Sequence, residues 1–203
     1  MESRWQRWLG SYLRSTTPKV VGGSSAAAAA AEPAAPVPAW TSGSANTPPD
    51  EAPPVGLKLI KEFEGCHLEA YPDPLSGGPP ITIGWGSTRD KNGNPFKLGD
   101  KISQDEADAL LVDQCRKQFI PSLRKIPFWD EMSDGQRGAL LSFAYNLGAG
   151  FYGNSNFNTI TKRLQEKDWA NVPDALFMYR NPGSHVEAGL AKRRKAEGEL
   201  WKS

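Results

Sequence analysis

Apolar positions recur along the chain at two spacings, and the changes of spacing mark the elements. In GLKLIKEFEG, Leu57, Ile60 and Phe63 fall three apart with Leu59 beside them, which predicts a short helix closed by Gly65. HLEAYPDP reads as a short strand entering a turn, SGGPP as a turn cluster, and ITIGWG, with Ile81 and Ile83 flanking Thr82, as the returning strand. The NGN of TRDKNGNPFKLGD marks a further hairpin-like turn. Beyond it the pattern becomes helical. Ser103 with Glu106 and Ser133 with Gln136 are capping-box signatures. The first precedes ADALLVDQCRKQFI, with Pro121 near the helix end; the second precedes RGALLSFAYNLG, which Gly148 terminates. NSNFNTITKRLQ and DWANVPDALFMY are shorter amphipathic pieces, with Pro173 at a helix start or a break. HVEAGLAKRRKAEGELWK closes the chain as a last helix. Its Leu190, Ala196, Leu200 and Trp201 are expected to pack inward, and its basic residues to face outward or toward a cleft. Met132 and Met178 read as core. The expected class is α+β, mostly α, with a small antiparallel hairpin near the start of the domain.

The first quarter of the chain lacks these patterns. From Thr16 to Pro54 it is rich in Ala, Pro, Gly and Ser, with few large apolar side chains beyond Trp40. Such a segment cannot bury enough surface to offset its ordering entropy, so residues 16–54 are expected to form a disordered linker and residues 55–203 one domain. Ahead of the linker, Trp5, Trp8, Leu9, Tyr12 and Leu13 fall on one helical face, flanked by Arg4, Arg7 and Arg14. Residues 1–15 therefore read as a possible amphipathic helix that touches a membrane surface, docks on a partner or stays an unstructured tail. The stretch lacks the continuous apolar core of a signal peptide, and no apolar run in the chain is long enough to span a bilayer.

Charge and cysteine content narrow the function classes. Lys and Arg number 24 against 23 Asp and Glu, a net charge of +1, so no polyanion-binding field is implied and nucleic acid is not an expected partner. KRRK at 192–195 is a local exception. The two cysteines, Cys66 and Cys115, form no metal-ligand spacing; free thiols, no metal and no cofactor are expected.

The candidate chemistry lies where Glu62, Glu64, Glu69 and Asp73 crowd beside the predicted hairpin. Glycoside hydrolysis uses two carboxyl groups, a protonated acid beside the leaving oxygen and an ionised group that stabilises positive charge or handles water. A glutamic acid at a helix end, packed by Phe63, can be desolvated and keep its proton, while an aspartate in the solvated turn YPDPL stays ionised. Thr82 on the returning strand can offer a hydroxyl to orient a water. Pattern alone does not choose between Glu62 and Glu64. Trp85 and Trp129 are candidates for stacking on sugar faces, and the lone His67 and His185 receive no catalytic role.

FEGCHLEAYPDP followed by TIGWGST resembles the active-site signature of the phage-type lysozymes, or endolysins, of glycoside hydrolase family 24. The match falls on Glu64, Gly65, Leu68, Tyr71 and Asp73, then Thr82, Ile83, Gly84 and Gly86. GDKISQDEADALLVDQ, LLSFAYNLGAG and GLAKRRKAEGELW follow in the family's order, and several ordered motifs are more specific than one. The resemblance covers about residues 55–202 and none of the first quarter. It implies a lysozyme-like fold with a helical lobe and a muramidase that cleaves the β-1,4 bond between N-acetylmuramic acid and N-acetylglucosamine. The implied partner is the glycan strand of peptidoglycan, and the chain would act as a monomer without cofactor. It would be made in a host cytoplasm without a recognisable signal peptide and act on the wall or periplasm after release.

The family's triad carries over to Glu64 as general acid, with Asp73 and Thr82 positioning the attacking water and Asp73 stabilising the oxocarbenium-like transition state. Eight residues separate Asp73 from Thr82, more than in compact family members, because SGGPP lengthens the turn. A family arginine that pairs with the catalytic glutamate falls on Arg193, with Arg194 as the alternative, and Tyr145 and Asn146 resemble residues lining the substrate cleft. Two other readings compete. A lytic transglycosylase on a related fold needs the acid but no aspartate-held water; a non-catalytic wall-binding or phage structural module needs neither.

Overall fold

The computed structural model describes residues 46–72 and 77–203. Residues 1–15, the first part of the expected linker, and Asp73 with its neighbours through Ser76 lie outside the described residues. Among the described residues, contacts with the domain are made from Thr47 onward, ahead of the boundary expected at Val55. The Thr47 backbone N–H and hydroxyl donate to the Asp134 carboxylate at 2.9 and 2.6 Å, and the buried Arg137 guanidinium donates to the Thr47 carbonyl. The Trp129 indole donates to the Pro49 carbonyl at 2.9 Å. Composition reports which side chains can be buried and says nothing of a backbone held by partners elsewhere in the chain.

Helix α1 (Pro54–Glu64) starts with a proline in its first turn and stops at Gly65, whose φ of +65° suits a residue without Cβ. The chain then forms β1 (His67–Tyr71) and returns as β2 (Thr82–Gly84), antiparallel, with His67 opposite Gly84 and Tyr71 opposite Thr82 and an irregularity between. The free edge of β1 is covered by residues 100–102. Ala70 donates to the Asp100 carbonyl at 2.9 Å and Ile102 to that of Leu68 at 3.0 Å. A small mostly α structure with one two-stranded sheet is the expected class.

Both predicted capping boxes form, at the starts of α2 (Gln104–Gln114) and of the helix Asp134–Leu147. Pro121 lies near the end of the helix, as expected; the helix runs two residues past it to Leu123. A π-helical turn (Cys115–Phe119) links α2 to α3 (Ile120–Leu123). Proline has no N–H and its ring collides with a carbonyl one turn back in a regular helix; the wider turn, in which Ile120 donates to the Cys115 carbonyl, relieves both.

The helix Asp134–Leu147, here α4, is the centre of the domain, with Gly135 and every residue from Arg137 to Asn146 buried. Around it lie α1, α5 (Asn158–Gln165), α6 (Val172–Phe177) and α7 (Glu187–Trp201). Helices α1 and α4 meet backbone to backbone at Gly56 and Gly138: a Cβ on Gly56 would fall 2.7 Å from the Gly138 Cα. Leu140, Phe143, Phe151, Ile160 and Leu176 fill the core beside them. Phe143 meets Phe151 edge-on with centroids 5.0 Å apart.

Two expectations about packing are overturned. Met132 is buried, but Met178 is 54% exposed because it follows the last residue of α6. In α7 the inward stripe is Leu190, Arg193, Arg194, Glu197, Gly198 and Trp201, while Ala196 and Leu200 are only half-buried. The apolar pattern found the two ends of the stripe, Leu190 and Trp201, and missed its ionic middle.

Candidate active site

Glu64 is the last residue of α1, where Gly65 turns the chain into β1. The close approach of α1 to α4 brings it to α7. Arg193 Nη1 lies 2.6 Å from Glu64 Oε1, with the two side chains 3% and 9% exposed. This contact separates Glu64 from Glu62, which the pattern could not, because Glu62 is exposed. The rest of the Arg193 fork is also directed: Nη2 donates to the Ser142 carbonyl on α4 at 3.1 Å, and Nε to Glu197 Oε1 at 3.3 Å. A planar guanidinium held at three points sets where its carboxylate partner sits. Phe63 lies under it, 5.6 Å from ring centroid to guanidinium carbon.

Arg194, the alternative partner of Glu64, points elsewhere in the same buried cluster. Its Nη2 donates to Asn146 Oδ1 at 3.0 Å and to Glu197 Oε1 at 2.9 Å, and its guanidinium lies 4.7 Å from the Phe143 ring. Burial pulls the Arg194 guanidinium down to about 10 while the Glu197 charge opposes the fall. Burial pushes Glu197 up, and both guanidiniums together with the Ser142 hydroxyl, 2.8 Å away, pull it back. Sequence reasoning missed Glu197 and Ser142. The available signal was the spacing of Arg193, Arg194 and Glu197, which are three and four apart and so share a helix face.

Tyr145 and Asn146 are held in the interior by their own bonds. They are 3% and 1% exposed. The Tyr145 hydroxyl donates to the Trp85 carbonyl at 2.9 Å, and its ring stacks on Phe119 with centroids 5.2 Å apart. Burial, and after it the Glu64 charge, raise the phenol well above its ordinary range, so Tyr145 stays neutral. Thr82 opens β2, is 5% exposed and lies opposite Tyr71 across the hairpin, and the chain reaches Asp73 two residues after Tyr71. The side chain of Asp73 falls among residues not described.

A second cluster fixes Trp85. Its indole donates to Asp108 Oδ1 at 2.7 Å, Gln104 donates to the same oxygen at 3.0 Å, and Lys61 Nζ lies 2.7 Å from Asp108 Oδ2. Burial alone would raise the Asp108 carboxyl, but the hydrogen bonds from Lys61, Trp85 and Gln104 outweigh it and hold it below its usual range. Trp85 is half-buried, with the Lys61 ammonium 5.6 Å from its ring centroid; Trp129, 2% exposed and bonded to Pro49, cannot stack on a sugar. Cys66 and Cys115 are free thiols, both raised by burial. His67 is exposed, its ring 4.6 Å from that of Tyr71. Among the described residues no group of acidic, histidine or cysteine side chains could hold a metal ion.

Residues 61–197 match the model of the phage lysozyme family. The chain belongs to that family. It is 32% identical over 151 residues to the endolysin of Lactococcus phage c2, a match covering 72% of this chain and 58% of that protein. It is 30% identical over 142 residues to the endolysin of Salmonella phage P22, covering 69% of this chain and 90% of that one. The solved structure of P22 lysozyme superposes with a TM-score of 0.62 at 25% identity, over 75% of this chain and 99% of the other. The chain thus spans little more than half of the Lactococcus phage relative but nearly all of the P22 protein. The lysozyme fold of the family has its counterpart here in α1, the hairpin and the helical lobe.

Proposed function

We propose that this phage lysozyme family member is a muramidase that hydrolyses the β-1,4 bond between N-acetylmuramic acid and N-acetylglucosamine in peptidoglycan, acting as a monomer without cofactor. The observation that carries the reading is the Arg193–Glu64 contact: a mostly buried carboxyl fixed where α1 turns into the hairpin, with the Tyr145 phenol near enough to feel its charge. In this mechanism Glu64 protonates the glycosidic oxygen as the bond breaks. Asp73 steadies the positive charge that grows on the sugar and, with Thr82, aligns a water for attack. Arg193 holds the Glu64 carboxyl in place between turnovers.

The test is turbidity loss of purified peptidoglycan. Glu64→Gln keeps the shape and removes the transferable proton, so turnover should fall at least about 100-fold. Turnover equal to the parent's refutes the assignment. Asp73→Asn should also abolish hydrolysis; if it spares turnover and the products carry 1,6-anhydro ends, the enzyme is a lytic transglycosylase.

The aromatic and arginine face of residues 1–15 is read as a membrane-surface contact that brings the enzyme to the envelope. Removing residues 1–40 should then slow lysis of intact cells and spare activity on purified peptidoglycan; equal loss on both substrates removes the idea.

A further inference from the structure

Glu197 is fully buried, charged, and unused by the mechanism above. Every described contact it makes is with a donor: Ser142 Oγ at 2.8 Å, Arg193 Nε at 3.3 Å and Arg194 Nη2 at 2.9 Å all meet Oε1, and Arg194 Nε lies 2.8 Å from Oε2. Oε1 takes all the described hydrogen bonds, while Oε2 has only the charge of Arg194 beside it, without hydrogen-bond geometry; three donors on one oxygen and two guanidiniums in contact fit an ionised carboxylate. A neutral Glu197 would leave two guanidiniums, 3% and 0% exposed, with far too little negative charge between them.

The arrangement answers a difficulty in the mechanism. A guanidinium in contact with a carboxyl favours its anion. A general acid has to keep its proton until the leaving oxygen takes it. Two buried cations, Arg193 and Arg194, act on Glu64's surroundings, and without a second anion Glu64 would be the sole counter-charge for both. Among the described residues this cluster is faced from α4 by Tyr145, which burial keeps a neutral phenol and which cannot replace a carboxylate.

We propose that Glu197 is a positioning and charge-balancing residue: it takes up the charge of Arg194 and one side of the Arg193 fork, so that Arg193 orients Glu64 without fixing it as an anion. Glu197 touches no substrate and acts through Arg193. The inference rests on Glu64 being the general acid.

The experiment follows the carboxyl ¹³C titration of Glu64 by NMR, and the pH profile of kcat/KM on peptidoglycan, in the parent and three variants. Glu197→Gln should lower the Glu64 midpoint and the alkaline limb by roughly one pH unit. Arg194→Met should raise both. The double variant Arg194→Met with Glu197→Gln, which restores the charge balance, should lie near the parent. Midpoints that stay put, or that move the same way in both single variants, with activity falling equally at every pH, would make Glu197 a structural part only and overturn the proposal. Should Glu197→Gln not fold, Arg194→Met and the double variant decide: an unmoved Glu64 midpoint in Arg194→Met overturns it. The acid reading fails separately, through retained turnover in Glu64→Gln, and the NMR midpoints remain readable without any activity.

Discussion

Two polar clusters brace the helix that carries Glu64, and they are built on opposite principles. The cluster of Arg193, Arg194, Glu197, Ser142 and Asn146 joins α7 to α4 and is dry, with none of its side chains more than 3% exposed. The cluster of Lys61, Asp108, Trp85 and Gln104 joins α1 to α2 and the hairpin and is wet, with Lys61 and Asp108 30% and 35% exposed. The same kinds of group therefore carry different weights. In the dry cluster each charge is tolerable only because its partner is present, so removing one strands the others. In the wet cluster water replaces a lost partner and salt screens the rest. The acid of the proposed mechanism is thus fixed by an unforgiving contact on one side and steadied by a forgiving one on the other.

Truncation is the strongest way to break the contrast. Glu197→Ala leaves the buried Arg194 guanidinium without a carboxylate and Arg193 with Glu64 alone, and should cost about 3–5 kcal/mol of stability, read from urea unfolding monitored by tryptophan fluorescence. A loss no larger than for an exposed pair would mean that water reaches the cluster. Gly56→Ala tests the apolar contact that brings α1 to the dry cluster. Alanine is the better helix former, but its Cβ would fall 2.7 Å from the Gly138 Cα and 2.9 Å from the Gly138 carbonyl oxygen. Backbone cannot rotate aside as a side chain can, so the helices have to part. The expected cost is about 1–3 kcal/mol, with a drop in Tm of several degrees in calorimetry. A stabilised Gly56→Ala would show that the interface yields.

These two sites also divide what the sequence discloses from what it hides. Both capping boxes, the helix stop at Gly65 and the hairpin are local devices, each decided by a few neighbouring residues, and all stand in the structure where the pattern put them. The family motifs placed Glu64 and selected Arg193 ahead of Arg194, and the 2.6 Å contact joins the same two residues. The middle of the inward stripe of α7, between Leu190 and Trp201, was missed because hydrophobic periodicity searches for apolar groups, and this part buries charges that neutralise one another. Tyr145 and Asn146 resemble cleft residues by motif; their hydrogen bonds go to a backbone carbonyl and a buried guanidinium, long-range partners that no local pattern discloses. The early docking of Thr47 was hidden for a different reason, since its partners Asp134 and Arg137 are nearly ninety positions away in sequence.

The smallest expected effect sharpens the comparison from the wet side. Asp108 has a folded-state carboxyl held below its ordinary value of 3.8, the hydrogen bonds from Lys61, Trp85 and Gln104 outweighing burial. A depressed carboxyl contributes stability that is fully present above its unfolded value and is lost as pH falls through the folded one. Asp108→Asn should therefore cost up to about 1 kcal/mol at pH 7, after allowing for exposure, and the gap between parent and variant should close as the pH falls below about 4. Raising NaCl to about 1 M at pH 7 should narrow it too, because the Lys61 contact is screened while the Trp85 hydrogen bond is not. The dry cluster should give no such response to salt, so the Glu197→Ala loss should persist. If the Asp108 gap is as large in 1 M salt at pH 3 as in dilute buffer at pH 7, Asp108 acts by packing and hydrogen bonding alone. The distinction between the two clusters would then rest on geometry and not on water.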